Sequence, residues 1–193
     1  MEKLAFLTLL FISFACFGSQ YSDTWGLPVG AESPEIQALD QDGRTRDFES
    51  LSGKQGLLFV LSRSADWWGY CKGQLVQLGG WRERFEGLGL KLAAMTYDEL
   101  PELKNFHQAE SVGFPLLRDE QARHVNLFQV RDLGYQKASS AYGIPYPGIF
   151  WIAPDGTIKA KFAVPGFRDR PPLNEVYDEI KRLLPNQTKN HSN

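Results

Sequence analysis

The sequence predicts an α/β domain with a partly parallel sheet, on the strength of three stretches. Leu57 to Leu61 is a continuous apolar run, the pattern of a strand buried on both faces. Leu75, Leu78, Trp81 and Phe85 then recur at helical spacing. Leu90 to Thr96 reads as the next buried strand, and strand, helix, strand in that order is a βαβ unit with parallel pairing. At 193 residues, with 42% hydrophobic and 13% aromatic side chains and no internal repeat, the chain has enough apolar material for one sizeable core.

In chain order, Met1 to Gly18 reads as a signal peptide. Lys3 gives a minimal positive start, and Leu4 to Phe17 is apolar but shorter than the ~20 residues that span a bilayer. Cleavage after Gly18 makes an extracytoplasmic protein, periplasmic or secreted. Acylation at Cys16 is the rival reading, and a membrane enters as partner only in that case. Tyr21 to Ser33 is an extended leader, and the folded domain runs from 27 to 185. Ile36 to Leu39 and Arg44 to Phe48 flank Asp40-Gln41-Asp42-Gly43, a turn composition that predicts an N-terminal β-hairpin.

Beyond the βαβ unit, Asp98 is the expected N-cap of a helix running to about Ala109, with Pro101 in its first turn. Phe114 to Asp119 is short and apolar, Glu120 to Val125 helical, and Asn126 to Ser140 loop. Ile149 to Ala153, Pro154-Asp155-Gly156 and Thr157 to Ala163 form a second hairpin. Pro171-Pro172 starts a final helix with Val176, Ile180, Leu183 and Leu184 inward, and 186–193 is a flexible polar tail.

The chemistry-bearing stretch is Ser64-Ala65-Asp66-Trp67-Trp68-Gly69-Tyr70-Cys71-Lys72, between the first strand and its helix. Cys71 falls in the first helical turn, where free N–H groups and the positive end of the helix dipole favour a thiolate; Arg63 and Lys72 lie close enough in sequence to add positive charge. Four residues before Leu75, the same cysteine equally fits a buried, inert thiol. Asp66 serves either to orient a proton or to cap the helix, and Trp67 and Trp68 either pack or form a stacking surface.

Ala65-Asp66-Trp67-x-x-Tyr70-Cys71-Lys72-x-Gln74-Leu75 resembles the active-site segment of the thioredoxin-like redoxins, and among them the peroxiredoxin-like (alkyl hydroperoxide reductase/thiol-specific antioxidant) family. Where those proteins read W-C-x-x-C-K, the first cysteine position here is Trp68. Where peroxiredoxins read P-x-x-x-T-x-x-C, this chain has Ser64, Trp68 and Cys71. Ala141 to Phe150 resembles the segment in which a redoxin proline precedes the hairpin strand beside the cysteine. The resemblance implies that Pro147 is that proline, with a cis peptide bond; peroxiredoxins carry an arginine at about this place, for which Arg118 or Arg131 is the substitute. It also implies the thioredoxin-like fold, a central mixed sheet flanked by helices.

Function follows from the one cysteine left after export. A one-cysteine thiol peroxidase attacks peroxide with Cys71 and is regenerated by an external thiol. A monothiol disulfide oxidoreductase and a non-catalytic binding module are the alternatives. No metal or organic cofactor is expected, since His107, His124 and His191 lack ligand spacing. A net charge of −2 without a basic cluster argues against nucleic acid.

Overall fold

The computed structural model describes residues 23–184. The signal segment with Cys16, the polar tail and His191 lie outside the described residues.

The N-terminal hairpin pairs β1 (Gln37–Leu39) with β2 (Thr45–Asp47) antiparallel. Its turn forms because Asp40 accepts the N–H groups of Asp42 and Arg44, both at 3.0 Å, while Gly43 supplies a positive φ. Asp47 then caps the short helix α1 (Phe48–Leu51) through reciprocal bonds with Ser50.

Strand β3 (Gly56–Leu61), helix α2 (Gly69–Gly87) and strand β4 (Leu90–Thr96) make the βαβ unit, with β3 and β4 parallel. Helix α3 (Leu100–Glu110) leads to β5 (Leu116–Arg118), followed by a 3-10 turn and α4 (Arg123–Leu127). The antiparallel hairpin β6 (Gly148–Ile152) and β7 (Ile158–Ala163) precedes α5 (Leu173–Leu183). The mixed sheet runs β5-β4-β3-β6-β7, with β3 between a parallel and an antiparallel neighbour.

Every residue of β3 is buried, and its side chains alternate between two cores. Leu58 and Val60 face α2, α3 and α5 through Leu75, Leu78, Leu103 and Ile180. Leu57, Phe59 and Leu61 face Trp25, Ile36, Val125 and Phe128 on the opposite side. At ~1.5–3 kcal/mol for each buried aliphatic or aromatic side chain, this strand anchors both layers. Its C-terminal end leads through Ser62 to Arg63, whose backbone N–H reaches the Cys71 sulphur.

The N-terminal segment lies along both rims of the sheet. Gly30 N–H donates to Ile158 O and Ile158 N–H to Ala31 O, against β7. Buried Lys161 donates to Asp23 O at 3.0 Å and Trp25 O at 2.8 Å. At the other rim Asp40 bridges to Leu117, and the Gln41 side-chain oxygen accepts the Leu116 N–H at 3.0 Å.

Four expectations need correction. Helix α3 starts from Glu99 without a side-chain cap, because the Asp98 carboxylate is turned into the loop before Cys71. The leader is folded from Asp23: Trp25 is buried, stacks on Phe150 at 4.5 Å and donates to Tyr146 O. Leu183 is 39% exposed, because Leu173, Val176 and Ile180 form the inward stripe of α5 and Leu184 continues it. No cis peptide bond occurs among the described residues, so Tyr146–Pro147 is trans. The chain there is already entering β6: Tyr146 N–H donates to Val130 O, and the next residue, Gly148, pairs with Leu61 and Ala163.

Candidate active site

Cys71 is the third residue of α2 and is completely buried. Trp68 occupies the N-cap position and offers no side-chain bond, so the first-turn N–H groups depend on the surroundings. The sulphur accepts two hydrogen bonds, one from the backbone N–H of Arg63 at 3.3 Å and one from Arg170 Nη2 at 2.9 Å.

Arg63 therefore serves the sulphur through its backbone. Its guanidinium, 1% exposed, pairs instead with Asp132 at 3.0 Å and donates to Pro145 O at 3.2 Å. The rings of Trp68, Tyr135 and Phe167 box it in at 5.2–5.7 Å. The same Asp132 carboxylate raises the pKa of the Tyr146 phenol, with burial adding to the effect.

The turn between β3 and α2 hangs on Asp98. Its carboxylate accepts from Ser64 Oγ at 2.8 Å, from the Ala65 N–H at 2.6 Å and from Thr96 Oγ1 at 2.7 Å. Ser64 Oγ in turn accepts the N–H groups of Asp66 and Trp67. Asp66 is exposed and caps nothing, and Ser64 ties only the turn ahead of α2. Trp67 is 46% exposed, donates from Nε1 to Tyr97 Oη at 2.7 Å and stands edge-on to Trp68. Burial raises the Tyr97 pKa. The Lys72 ammonium sits over the Phe106 ring at 5.7 Å. Pro147 is buried one residue beyond the Gly148–Leu61 pair.

Burial also raises the Asp98 pKa above its ordinary 3.8, outweighing the bonds from Thr96, Ala65 and Ser64. A carboxyl raised in the folded state contributes stability that is present below the unfolded value and lost as pH rises through the folded one. The stability advantage of the natural protein over Asp98→Asn should therefore shrink as pH rises from below 3.8 toward neutrality. Urea unfolding of both proteins across that window measures it; a constant difference would mean that Asp98 ionises alike in both states.

Sequence reasoning missed Arg170, Asp132, Gln74, Asp98 and Phe167. Arg170 lies in the loop between β7 and α5, 99 residues from Cys71. The nearest signal is Pro171-Pro172, which fixes where that loop ends. Of the two arginines expected to approach the thiol, Arg118 pairs with Glu99 at 2.8 Å. Arg131 bonds Asn126 at 2.7 Å and lies over the Tyr142 ring.

An open apolar hollow of about 380 Å³ lies over Trp68, Gly69 and Tyr70 at the mouth of the site. A hollow of about 480 Å³ beside the β1–β2 hairpin includes Gln37, Thr45, Arg118, Arg123 and His124 but no residue of the cysteine site. Its arginines are engaged by Glu99 and Glu35, and buried His124 is held by Asp119 at 2.9 Å. Among the described residues no group of His, Cys, Asp and Glu could hold a metal ion, and no helix is long and apolar enough to cross a membrane.

The mixed five-stranded sheet flanked by helices is the thioredoxin-like fold, and Cys71 lies in the first turn of the helix after its central strand. Residues 29–161 match the AhpC/TSA family, and the chain belongs to that family. It is 21% identical over 152 residues to 1-Cys peroxiredoxin B of Oryza sativa subsp. indica, covering 75% of this chain and 68% of that protein. It is 22% identical over 149 residues to the thiol-disulfide oxidoreductase ResA of Bacillus anthracis, covering 76% of each. Among solved structures it is similar to peroxidoxin BcpB from Mycobacterium tuberculosis, with a TM-score of 0.70 at 14% identity over 81% of this chain and 98% of that one. The general kind is thus a peroxiredoxin-like thiol peroxidase or oxidoreductase.

Proposed function

We propose that the chain is a one-cysteine thiol peroxidase with Cys71 as nucleophile. The carrying observation is the pair of N–H donors converging on the Cys71 sulphur, one from the backbone at Arg63 and one from a guanidinium. Donors so placed suit a thiolate better than a thiol, which has its own proton to place. In the reaction the sulphur takes the terminal OH of a peroxide ROOH: an S–O bond forms, the O–O bond breaks, and RO⁻ leaves to collect a proton from solvent. Two external thiols then return the sulfenic acid to Cys71, the first releasing water and forming a mixed disulfide, the second displacing it. No cofactor takes part. We place the reaction outside the cytoplasm, on the export signal expected in residues 1–18.

The full burial of Cys71 supports a second reading, a non-catalytic module that binds partners through exposed Trp67 and Tyr70. One experiment separates the two. Hydrogen peroxide should convert Cys71 of native protein to a sulfenic acid that a dione probe traps, detected by mass spectrometry. Cys71→Ser should trap nothing while keeping its fold. Labelling that appears only after denaturation would defeat the peroxidase reading and leave the binding module.

A further inference from the structure

We propose that the Arg63 side chain, anchored by Asp132, is the positioning residue that holds both hydrogen-bond donors on the Cys71 sulphur. The proposal rests on the reading of Cys71 as a nucleophile, and its test follows the thiol itself, apart from any peroxide.

Stability alone does not account for the Arg63–Asp132 pair. The guanidinium is 1% exposed and donates to Asp132 at 3.0 Å, Pro145 O at 3.2 Å and Tyr135 Oη at 3.5 Å. An ion pair taken out of water returns little to the fold over an apolar pair of similar size. The Arg63 Nε is buried as well, with no hydrogen-bond partner among the described residues, which is a further cost. What the side chain does is gather the pieces that surround the sulphur.

The first piece is its own backbone. Ser62 N–H donates to Met95 O at 3.0 Å and Ala65 N–H to the Asp98 carboxylate at 2.6 Å. Between these ties the Arg63 N–H meets the sulphur at 3.3 Å. A buried, gripped side chain fixes how the residue between them turns, and so where its N–H points. The second piece is Trp68, at the N-cap of the helix that carries Cys71, whose ring meets the guanidinium at 5.3 Å. The third is Phe167, whose ring lies 5.2 Å from the same guanidinium. The Phe167 carbonyl accepts from Arg170 Nη1 at 3.1 Å, and Gln74 Oε1 accepts from Arg170 Nε at 2.8 Å. Nη2 of Arg170 is left on the sulphur, at 2.9 Å.

One side chain therefore touches the source of the first donor, the helix with the thiol and the loop with the second donor. It needs an arginine for this. Its N–H groups meet carboxylate, carbonyl and hydroxyl while its flat cation lies against the rings, and a lysine has neither the fork nor the plane. Two aligned donors favour S⁻ over SH, so loosening them delays ionisation and slows every reaction of the thiolate.

The test compares full-length natural protein with Arg63→Lys and with the double variant Arg63→Met, Asp132→Leu, each checked by urea unfolding. Alkylation of Cys71 by iodoacetamide is followed by mass spectrometry across pH. A hydrogen bond to a charged group is typically worth about tenfold or more in an equilibrium constant. The double variant should accordingly alkylate about tenfold more slowly at neutral pH, with the midpoint of its profile about one pH unit higher. It should do so with its fold kept by the apolar pair, which a purely structural ion pair would not show. Arg63→Lys keeps the charge and should shift the same way by less. Arg170 on the sulphur and Lys72 over the Phe106 ring stay in place in every protein, so the change belongs to Arg63. If the double variant does not fold, Arg63→Lys decides, and a profile like the natural one overturns the proposal. A folded double variant with the natural profile overturns it too, as does natural protein that alkylates only after denaturation. Natural protein that ignores peroxide, while alkylation shifts as expected in the variants, sinks the peroxidase reading and leaves this proposal standing.

Discussion

Asp132→Ala is expected to cost the fold about 3–5 kcal/mol, the range for stranding one member of a buried ion pair. Its partner, the Arg63 guanidinium, is 1% exposed and has no route to water from its place between three rings. Asp132 also accepts the Gly134 N–H at 3.0 Å, so the loop before Pro145 loses a second tie. The Pro145 carbonyl and Tyr135 hydroxyl remain to Arg63, but neither carries charge. Urea unfolding gives the number. The double variant Arg63→Met with Asp132→Leu should recover much of the loss, because an apolar pair removes the stranded charge. A loss under about 1 kcal/mol in Asp132→Ala would mean that the aromatic box alone holds the cation.

Gly56→Ala should be as damaging for a steric reason. Gly56 opens β3 at φ +101°, a conformation that side chains rarely adopt. An added Cβ would run into the Ile152 carbonyl oxygen, on the neighbouring strand β6. Backbone on both sides leaves nothing to rotate away, so either β3 and β6 part at this end or the chain does not fold. The expected loss is at least about 4 kcal/mol, in the tail of single-substitution effects. Gly43→Ala is the control: its φ is also positive, at +75°, but an added Cβ meets nothing within 4 Å. It should lose only about 1–2 kcal/mol, the cost of left-handed backbone for a residue with a side chain. Equal losses in the two variants would refute the steric account.

What could be read from the sequence was what periodicity and composition encode. Leu57 to Leu61 announced β3, the Leu75–Leu78–Phe85 stripe announced α2, and together they placed Cys71 in a first turn. Asp155-Gly156 announced the β6–β7 hairpin. Contacts set by long-range packing were not legible. Nothing in Arg168-Asp169-Arg170 says which of its cations reaches a sulphur 99 residues away. Asp98 showed this in reverse, since its spacing before a helix suits a cap while its carboxylate is spent on Ser64 and Ala65. Arg63 was read as a charge beside the thiol; the backbone N–H does that work, and the charge belongs to Asp132. The proline before β6 was read by resemblance to redoxins with a cis peptide, whereas the Tyr146–Pro147 bond is trans.

The residues between Gly30 and Gln41 wrap the sheet at both margins: Ala31 against Ile158 on one side, Asp40 and Gln41 against Leu117 and Leu116 on the other. Open margins are where β-proteins recruit further strands and grow into aggregates. Here a foreign strand arriving at either side would first have to peel away a piece of the same chain. Removing this wrap, by truncating the protein through Gln41, would turn a self-limiting sheet into a template with two growing ends.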